Sequence, residues 1–262
     1  MRDLSNQIVF ITGGASGIGR GLAERLGAAG AKCFIADVNE DLVHEAARSL
    51  GCTGVPLDVR DAGQVRAVID GITREHGPID FLVNSAGIVR AGETHLFEYD
   101  DWKRVLDVNL YGVVNCIHAV YPEMVRRRTG HIVNIASIAG LFPSAGQVSY
   151  VASKSAVVGL SHALRVEAAP HGVRVSVACP GIIDTPMTRG FSVKAKNPDK
   201  VKSRIPRGID VGECCDVILR GVDRNDATIL VGGLAHTLAS LHRASPWLSG
   251  KLNGLSLRFL NR

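Results

Sequence analysis

The sequence predicts a doubly wound α/β fold, a parallel sheet of about seven strands with helices on both faces. Three observations predict it. Short apolar runs alternate with amphipathic stretches of about a dozen residues, the pattern of βαβ units. The runs are apolar throughout, as strands covered on both faces require. A glycine-rich turn, Thr12-Gly13-Gly14-Ala15-Ser16-Gly17-Ile18-Gly19, joins the first run to the first amphipathic stretch.

The elements follow in order. Ile8-Val9-Phe10-Ile11 is the first strand, and Leu22 and Leu26, at i and i+4, mark a helix over 17–29. Gly30 turns the chain into Cys33-Phe34-Ile35-Ala36, which ends at Asp37. A second helix runs toward Leu50, and Gly54-Val55-Pro56-Leu57 leads to Asp58-Val59. A helix over 62–76 precedes a strand over 79–83 that ends at Asn84. Later strands are Ile132-Val133-Asn134-Ile135 and the run 173–178, and a last one lies within 227–233. Residues 1–233 read as one domain, followed by an extension over 234–262.

Composition excludes several classes. A chain of 262 residues, 46% hydrophobic and 21% charged, buries a sizeable core and is not disordered. No apolar run approaches the roughly 18 residues of a membrane-spanning helix. The start, Met1-Arg2-Asp3-Leu4, has no secretory apolar region behind it. Six scattered cysteines form no C-x-x-C, so reduced thiols in a cytoplasmic setting are expected, and no metal. The net charge of +5 divides into −2 over residues 1–188 and +7 over 189–262, so it is not the footprint of a nucleic-acid-binding domain.

The glycine turn has the chemistry of a pyrophosphate cradle. Glycines let the backbone approach the phosphates, and the helix that follows offers free N–H groups and a partial positive charge. A P-loop would need Lys-Ser/Thr after the last glycine, where Arg20-Gly21 stands; a hydrolase elbow would need Gly at 18, where Ile18 stands. Asp37 closes the second strand, placed to accept both adenosine ribose hydroxyls and to repel a 2′-phosphate. Positions 15, 16 and 38 are Ala, Ser and Val, with no cation to offset that repulsion, so NAD(H) is expected over NADP(H).

Tyr150 and Lys154 stand at i and i+4 on one helix face. A nearby ammonium favours phenolate, so the Tyr150 pKa is expected to fall from its usual value of about 10. Ser137 lies just past the Ile132–Ile135 run.

Taken together, the Thr12–Gly19 loop, Asp37, Asp58-Val59, Asn84-Ser85-Ala86-Gly87, Asn109, Ser137, Tyr150, Lys154 and Pro180-Gly181 with Thr185 resemble the short-chain dehydrogenase/reductase family, over roughly residues 6–190. The common N-N-A-G reads Asn-Ser-Ala-Gly here, a mild departure. The resemblance implies a Rossmann-type fold and assigns roles. Tyr150 is the general acid/base, and Lys154 binds the nicotinamide ribose and lowers the tyrosine pKa. Ser137 holds the substrate oxygen, and Asn109 holds a water of a proton relay. Gly13, Ser16, Gly17, Ile18 and Gly19 cradle the phosphates, Asp58 and Val59 flank the adenine, and Asn84, Ala86 and Gly87 line the ribose side. Pro180, Gly181, Ile183 and Thr185 anchor the carboxamide.

The segments near Ser137 and Tyr150 offer Ile138, Leu141, Phe142, Gln147, Met187 and Phe191 as substrate contacts, most of them apolar. Each has an alternative reading as core. A hydrophobic secondary alcohol or ketone, such as a steroid or aryl alcohol, suits such a pocket. The basic stretch 189–208 is either a lid that meets an anionic acyl thioester or a solvated loop. An epimerase or dehydratase on the same Ser–Tyr–Lys set, and a non-catalytic NAD sensor, are the competing classes; the full relay set disfavours the sensor.

The extension departs from the family's usual ending. Leu248, Leu252, Leu255 and Phe259 recur at helical spacing behind Ser245-Pro246. It packs on its own or a partner subunit, covers the substrate pocket, or lies on a membrane surface. A homodimer through the helices 102–124 and 150–169, or a homotetramer, is the expected assembly.

Overall fold

The computed structural model describes residues 4–194, 206, 208–251 and 253. Its centre is a seven-stranded sheet in the order β3-β2-β1-β4-β6-β7-β9, with every pairing parallel. The strands are β1 (Ile8–Thr12), β2 (Lys32–Asp37), β3 (Thr53–Pro56), β4 (Phe81–Asn84), β6 (Gly130–Ile135), β7 (Val173–Pro180) and β9 (Thr228–Val231). The helices are α1 (Gly17–Ala28), α2 (Glu40–Leu50), α3 (Ala62–His76), α4 (Tyr99–Leu106), α5 (Gly112–Arg127), α6 (Val148–Ala168), α7 (Pro186–Gly190), α8 (Val211–Asp223) and α9 (Gly233–Ala244).

Alternation along β1 shows why both faces are apolar. Val9 and Ile11 face a core with Leu22 and Leu26 of α1, Val43 of α2 and Ile218 of α8. Ile8 and Phe10 face the opposite core, with Ile69 of α3 and Val120 and Met124 of α5. A strand so covered is a continuous apolar run. The chain winds outward from β1 to β3, then returns to β4 on the other side of β1. That reversal leaves a crevice at the carboxyl ends of β1 and β4, where Thr12 stands beside Asn84.

Two features lie outside what the sequence pattern predicts. A second, two-stranded parallel sheet joins β5 (Arg90–Gly92) to β8 (Ser192–Lys194). A π-helical turn, Asp107–Tyr111, links α4 to α5 and carries Asn109. Of the expected lid over 189–208, residues 195–205 and 207 lie outside the described residues, as do Leu252, Leu255 and Phe259 of the extension. Residues 246–251 are helical. No described helix is long and apolar enough to cross a membrane.

Candidate active site

A cleft of about 670 Å³ opens along the carboxyl ends of the central strands. At one side lies the glycine turn. Gly13 has φ +64°, and a Cβ there would stand 2.8 Å from the Ala86 backbone. A Cβ on Gly19 would stand 2.2 Å from the Gly13 carbonyl oxygen. Side chains are thus excluded and the backbone forms the wall. Thr12 Oγ1 accepts from the Ser85 and Ala86 N–H groups, both at 3.2 Å, and ties the Asn84–Gly87 turn to this loop.

Asn39 and Asp61 cap α2 and α3 through their side chains, but no side chain caps α1 and its first turn holds no acid. The α1 amides stay free for an anion, as a dinucleotide pyrophosphate requires. Gly13, Ser16, Gly17 and Ile18 line the cleft, and Gly19 packs behind them.

At the end of the cleft beside β2, Asp37 closes β2 and its Oδ1 accepts from the Asn39 N–H at 3.2 Å. Asp58 and Val59 line the same end. Arg60, which the sequence reading passed over, grips the Asp58 carboxylate with Nε at 3.0 Å and Nη2 at 2.6 Å. That pairing holds the Asp58 carboxyl below the usual carboxylate range. Arg60 and Arg104 also border the cleft. The signal for Arg60 was its place two residues after Asp58. Asn84 lies below the cleft floor, where its Nδ2 donates to Asn134 Oδ1 at 2.8 Å. Ala86 and Gly87 line it.

Asn109, Ser137, Tyr150 and Lys154 come together at the centre. The Asn109 Oδ1 accepts from the Ile88 N–H at 2.8 Å, and its Nδ2 donates to the Ile88 carbonyl at 2.9 Å and to Ser153 Oγ at 3.0 Å. This fully buried amide is therefore spent on joining the β4 loop to α6. Lys154 Nζ donates to the Ile135 carbonyl at 2.8 Å and lies 5.7 Å from the Tyr150 ring centre. Ser137 Oγ accepts from the Ala139 N–H at 3.1 Å and hydrogen-bonds the Tyr150 phenol.

The expected fall in the Tyr150 pKa is corrected here. Burial pushes the phenol up, and only the Ser137 hydrogen bond pulls it back. The reason is that Lys154 is itself buried, which brings its pKa down to about 8, and its ammonium points to Ile135. Cys179, beside Lys154, is pushed up to about 12 by burial and stays a thiol.

On the far side, Pro180, Gly181, Ile183 and Thr185 line the cleft, with Met187 and Phe191 beyond them and Ile88 and Val89 opposite. Leu141, Phe142 and Gln147 do not border it. Leu141 packs against the core that holds Val157 and Val177. Gln147 precedes α6, where its carbonyl accepts from the Val151 N–H.

Comparison with known proteins decides the family. A family profile described as short chain dehydrogenase matches residues 7–196. The chain belongs to the short-chain dehydrogenase/reductase family. Oxidoreductase UcpA of Salmonella typhimurium is 34% identical over 261 residues, covering 97% of this chain and 94% of that protein. The 3-oxoacyl-[acyl-carrier-protein] reductase FabG of Thermotoga maritima is 36% identical over 216 residues, 78% and 85% of the two chains. A short-chain dehydrogenase/reductase from Burkholderia phymatum, solved in complex with NAD, superposes with a TM-score of 0.87 at 25% identity, covering 95% and 96%. Family membership, the glycine cradle and Asp37 make this chain an NAD-dependent oxidoreductase.

The described part of this dehydrogenase's extension touches the loop after Ser137 of the same chain. The Phe142 and His242 rings meet edge to face at 6.1 Å, and Asn253 Nδ2 donates to the Pro143 carbonyl. His242 Nδ1 and Ser249 Oγ are 2.7 Å apart, which closes the turn between α9 and the helical residues 246–251.

Proposed function

We propose that this dehydrogenase moves a hydride between NAD(H) and a hydrophobic secondary alcohol or its ketone. Tyr150 is the general acid/base, and residues 1–233 are the catalytic unit. The observation that carries the reading is the Tyr150 phenol, hydrogen-bonded to Ser137, in a cleft whose substrate end is walled by Ile88, Val89, Met187 and Phe191.

Bound NAD(H) supplies or takes up the hydride. In the oxidative direction Tyr150, as phenolate, removes the hydroxyl proton while the Ser137 hydroxyl holds the substrate oxygen. In the reductive direction the Tyr150 phenol delivers the proton. Lys154, its Nζ held at the Ile135 carbonyl, would bind the ribose hydroxyls. Asn109 positions α6 against the β4 loop.

Two features support an acyl-thioester ketone as the second reading. A relative 36% identical is named as a 3-oxoacyl-carrier-protein reductase. The stretch 189–207 carries seven Lys/Arg and only Asp199, a match for an anionic carrier. NADH formation from NAD across steroid, aryl and aliphatic secondary alcohols and 3-hydroxyacyl thioesters separates the two readings. A signal confined to thioesters would replace the first reading with the second, and silence across the whole panel would overturn both. We place the enzyme in the cytoplasm as a homodimer or homotetramer with no nucleic-acid partner; a monomeric mass in solution would refute the assembly.

Two predictions arise directly. Asp37 sets cofactor choice, so NADPH binds at least roughly 10-fold more weakly than NADH, and Asp37→Ser narrows the gap. Fluorescence titration measures both, and equal wild-type affinities would rule the role out. The Ser137 hydrogen bond lowers the Tyr150 pKa, so Ser137→Ala raises it. The rising limb of kcat/KM for alcohol oxidation then moves to higher pH, beyond the accompanying loss of rate. A limb that stays in place in the pH profile would disconnect Ser137 from Tyr150.

A further inference from the structure

Two short strands bridge the substrate end of the cleft. β5 follows β4 and β8 follows β7, and Arg90 and Ser192, one from each, border the cavity. The Glu93 N–H donates to the Lys194 carbonyl at 3.2 Å, and the Gly92 N–H donates to the Gly146 carbonyl at 2.8 Å. Three segments therefore meet at Gly92, on the 90s loop, the 140s loop and the strand after α7. No side chain fits at the crossing: a Cβ on Gly92, at φ +141°, would stand 2.1 Å from the Lys194 carbonyl oxygen.

Three-residue strands hold little by themselves. Beneath them lies a buried carboxylate. Asp101, in the first turn of α4, is 6% exposed. Its Oδ2 accepts from the Glu98 N–H at 3.1 Å and lies 2.6 Å from Lys194 Nζ. Its Oδ1 lies 3.2 Å from Arg90 Nε. One carboxylate thus takes a cation from each strand. Glu98, 3.5 Å from Lys194 and well exposed, adds only a rim charge. A buried charge must keep a partner. If β8 lifts away, Lys194 leaves to water while Arg90 stays on Asp101, so the carboxylate is never left alone. The Lys194 bond can therefore break without unfolding α4.

We infer that Asp101 is a latch: through Lys194 it holds β8, and with it Met187 and Phe191, over the substrate end of the cleft, and parting of the Lys194–Asp101 pair sets how fast the cleft opens to release cofactor. Lys194 and Asp101 are positioning residues, since neither reaches Tyr150 chemistry. The inference rests on NAD(H) occupying this cleft and not on the identity of the substrate.

The test uses the full chain and three variants. Lys194→Met keeps Arg90 on Asp101 and so keeps the fold. Lys194→Arg keeps the ion pair. Gly92→Ala keeps every charge and separates the strands. Amide hydrogen exchange in the free protein reads the strap at Glu93, whose N–H is held by the Lys194 carbonyl, and stopped-flow fluorescence reads NADH release. Lys194→Met is expected to lose protection at that amide and to release NADH about 10-fold faster, less than the loss of a fully buried partner because Lys194 is partly exposed. Lys194→Arg restores both values, and Gly92→Ala reproduces the faster release. Native protection in Lys194→Met would show that the backbone holds the strap without the latch. Lost protection with an unchanged release rate would show that the strap does not gate the cleft. Either result overturns the proposal, and neither measurement involves the alcohol or ketone, so a failed substrate assignment is seen separately.

Discussion

Tyr150→Phe lowers kcat by about 10²–10⁴-fold, the usual contribution of a positioned general acid/base, and leaves NADH affinity nearly unchanged. The phenyl ring fills the same space on α6, so Lys154 and the cleft wall keep their places. What disappears is the one hydroxyl that Ser137 holds at the substrate end. The loss is confined to the proton-transfer step, and the pH-dependent limb of the residual oxidation rate goes with it. Steady-state kinetics beside an NADH fluorescence titration checks both parts. A variant that keeps turnover within a factor of about ten would remove Tyr150 from the acid/base role. A variant that loses NADH binding as well would assign the residue to the cofactor pocket.

Lys154→Met abolishes turnover and makes the folded protein more stable near pH 7. Burial brings the Lys154 pKa from 10.5 down to about 8. Below pH 8 the lysine is protonated in both the folded and the unfolded chain, and the folded one bears the full cost of a buried ammonium. At 1.36 kcal/mol per pKa unit that cost is about 3 kcal/mol. As pH rises from 8 toward 10.5 the folded lysine sheds its proton while the unfolded one keeps it, so the cost fades. Methionine fills a similar volume without charge. The lost hydrogen bond to the Ile135 carbonyl offsets about 1 kcal/mol. The net gain of about 2 kcal/mol raises Tm by roughly 4–8 °C in a protein of this size. Thermal denaturation near neutral pH and again near pH 10 checks it: the gap between variant and wild type is wide at the first and narrow at the second. A variant less stable than wild type at neutral pH would mean that Lys154 is a net structural asset. The expected trade of stability for activity is what a buried functional charge entails.

The glycine turn, Asp37 and the Tyr150–Lys154 pair were legible in the sequence because their geometry is local. A strand, a tight turn and a helix N-terminus follow one another within a dozen residues, and i,i+4 neighbours share a helix face whatever packs against them. The parallel sheet was legible for a related reason, since its strands are buried on both faces and show as unbroken apolar runs. The β5–β8 pairing was not legible. Each strand has three residues, Arg90-Ala91-Gly92 and Ser192-Val193-Lys194, with no apolar run, and the partner lies about a hundred residues away. The placement of Phe142 escaped for the same reason. Its neighbour is His242, on a helix that the sequence ties to no particular face.

The sequence by itself determined the main strands and helices of the central sheet, the glycine turn and the spacing that lets Ser137, Tyr150 and Lys154 meet. Only the tertiary structure decided the electrostatics. Whether Lys154 lowers the Tyr150 pKa depends on where its ammonium points and how much water reaches it, and both are set by Ile135 and the packed carboxyl end of the sheet. Spacing along a chain fixes which groups can meet; desolvation and long-range pairing depend on every element that packs around them, and no local pattern carries that information.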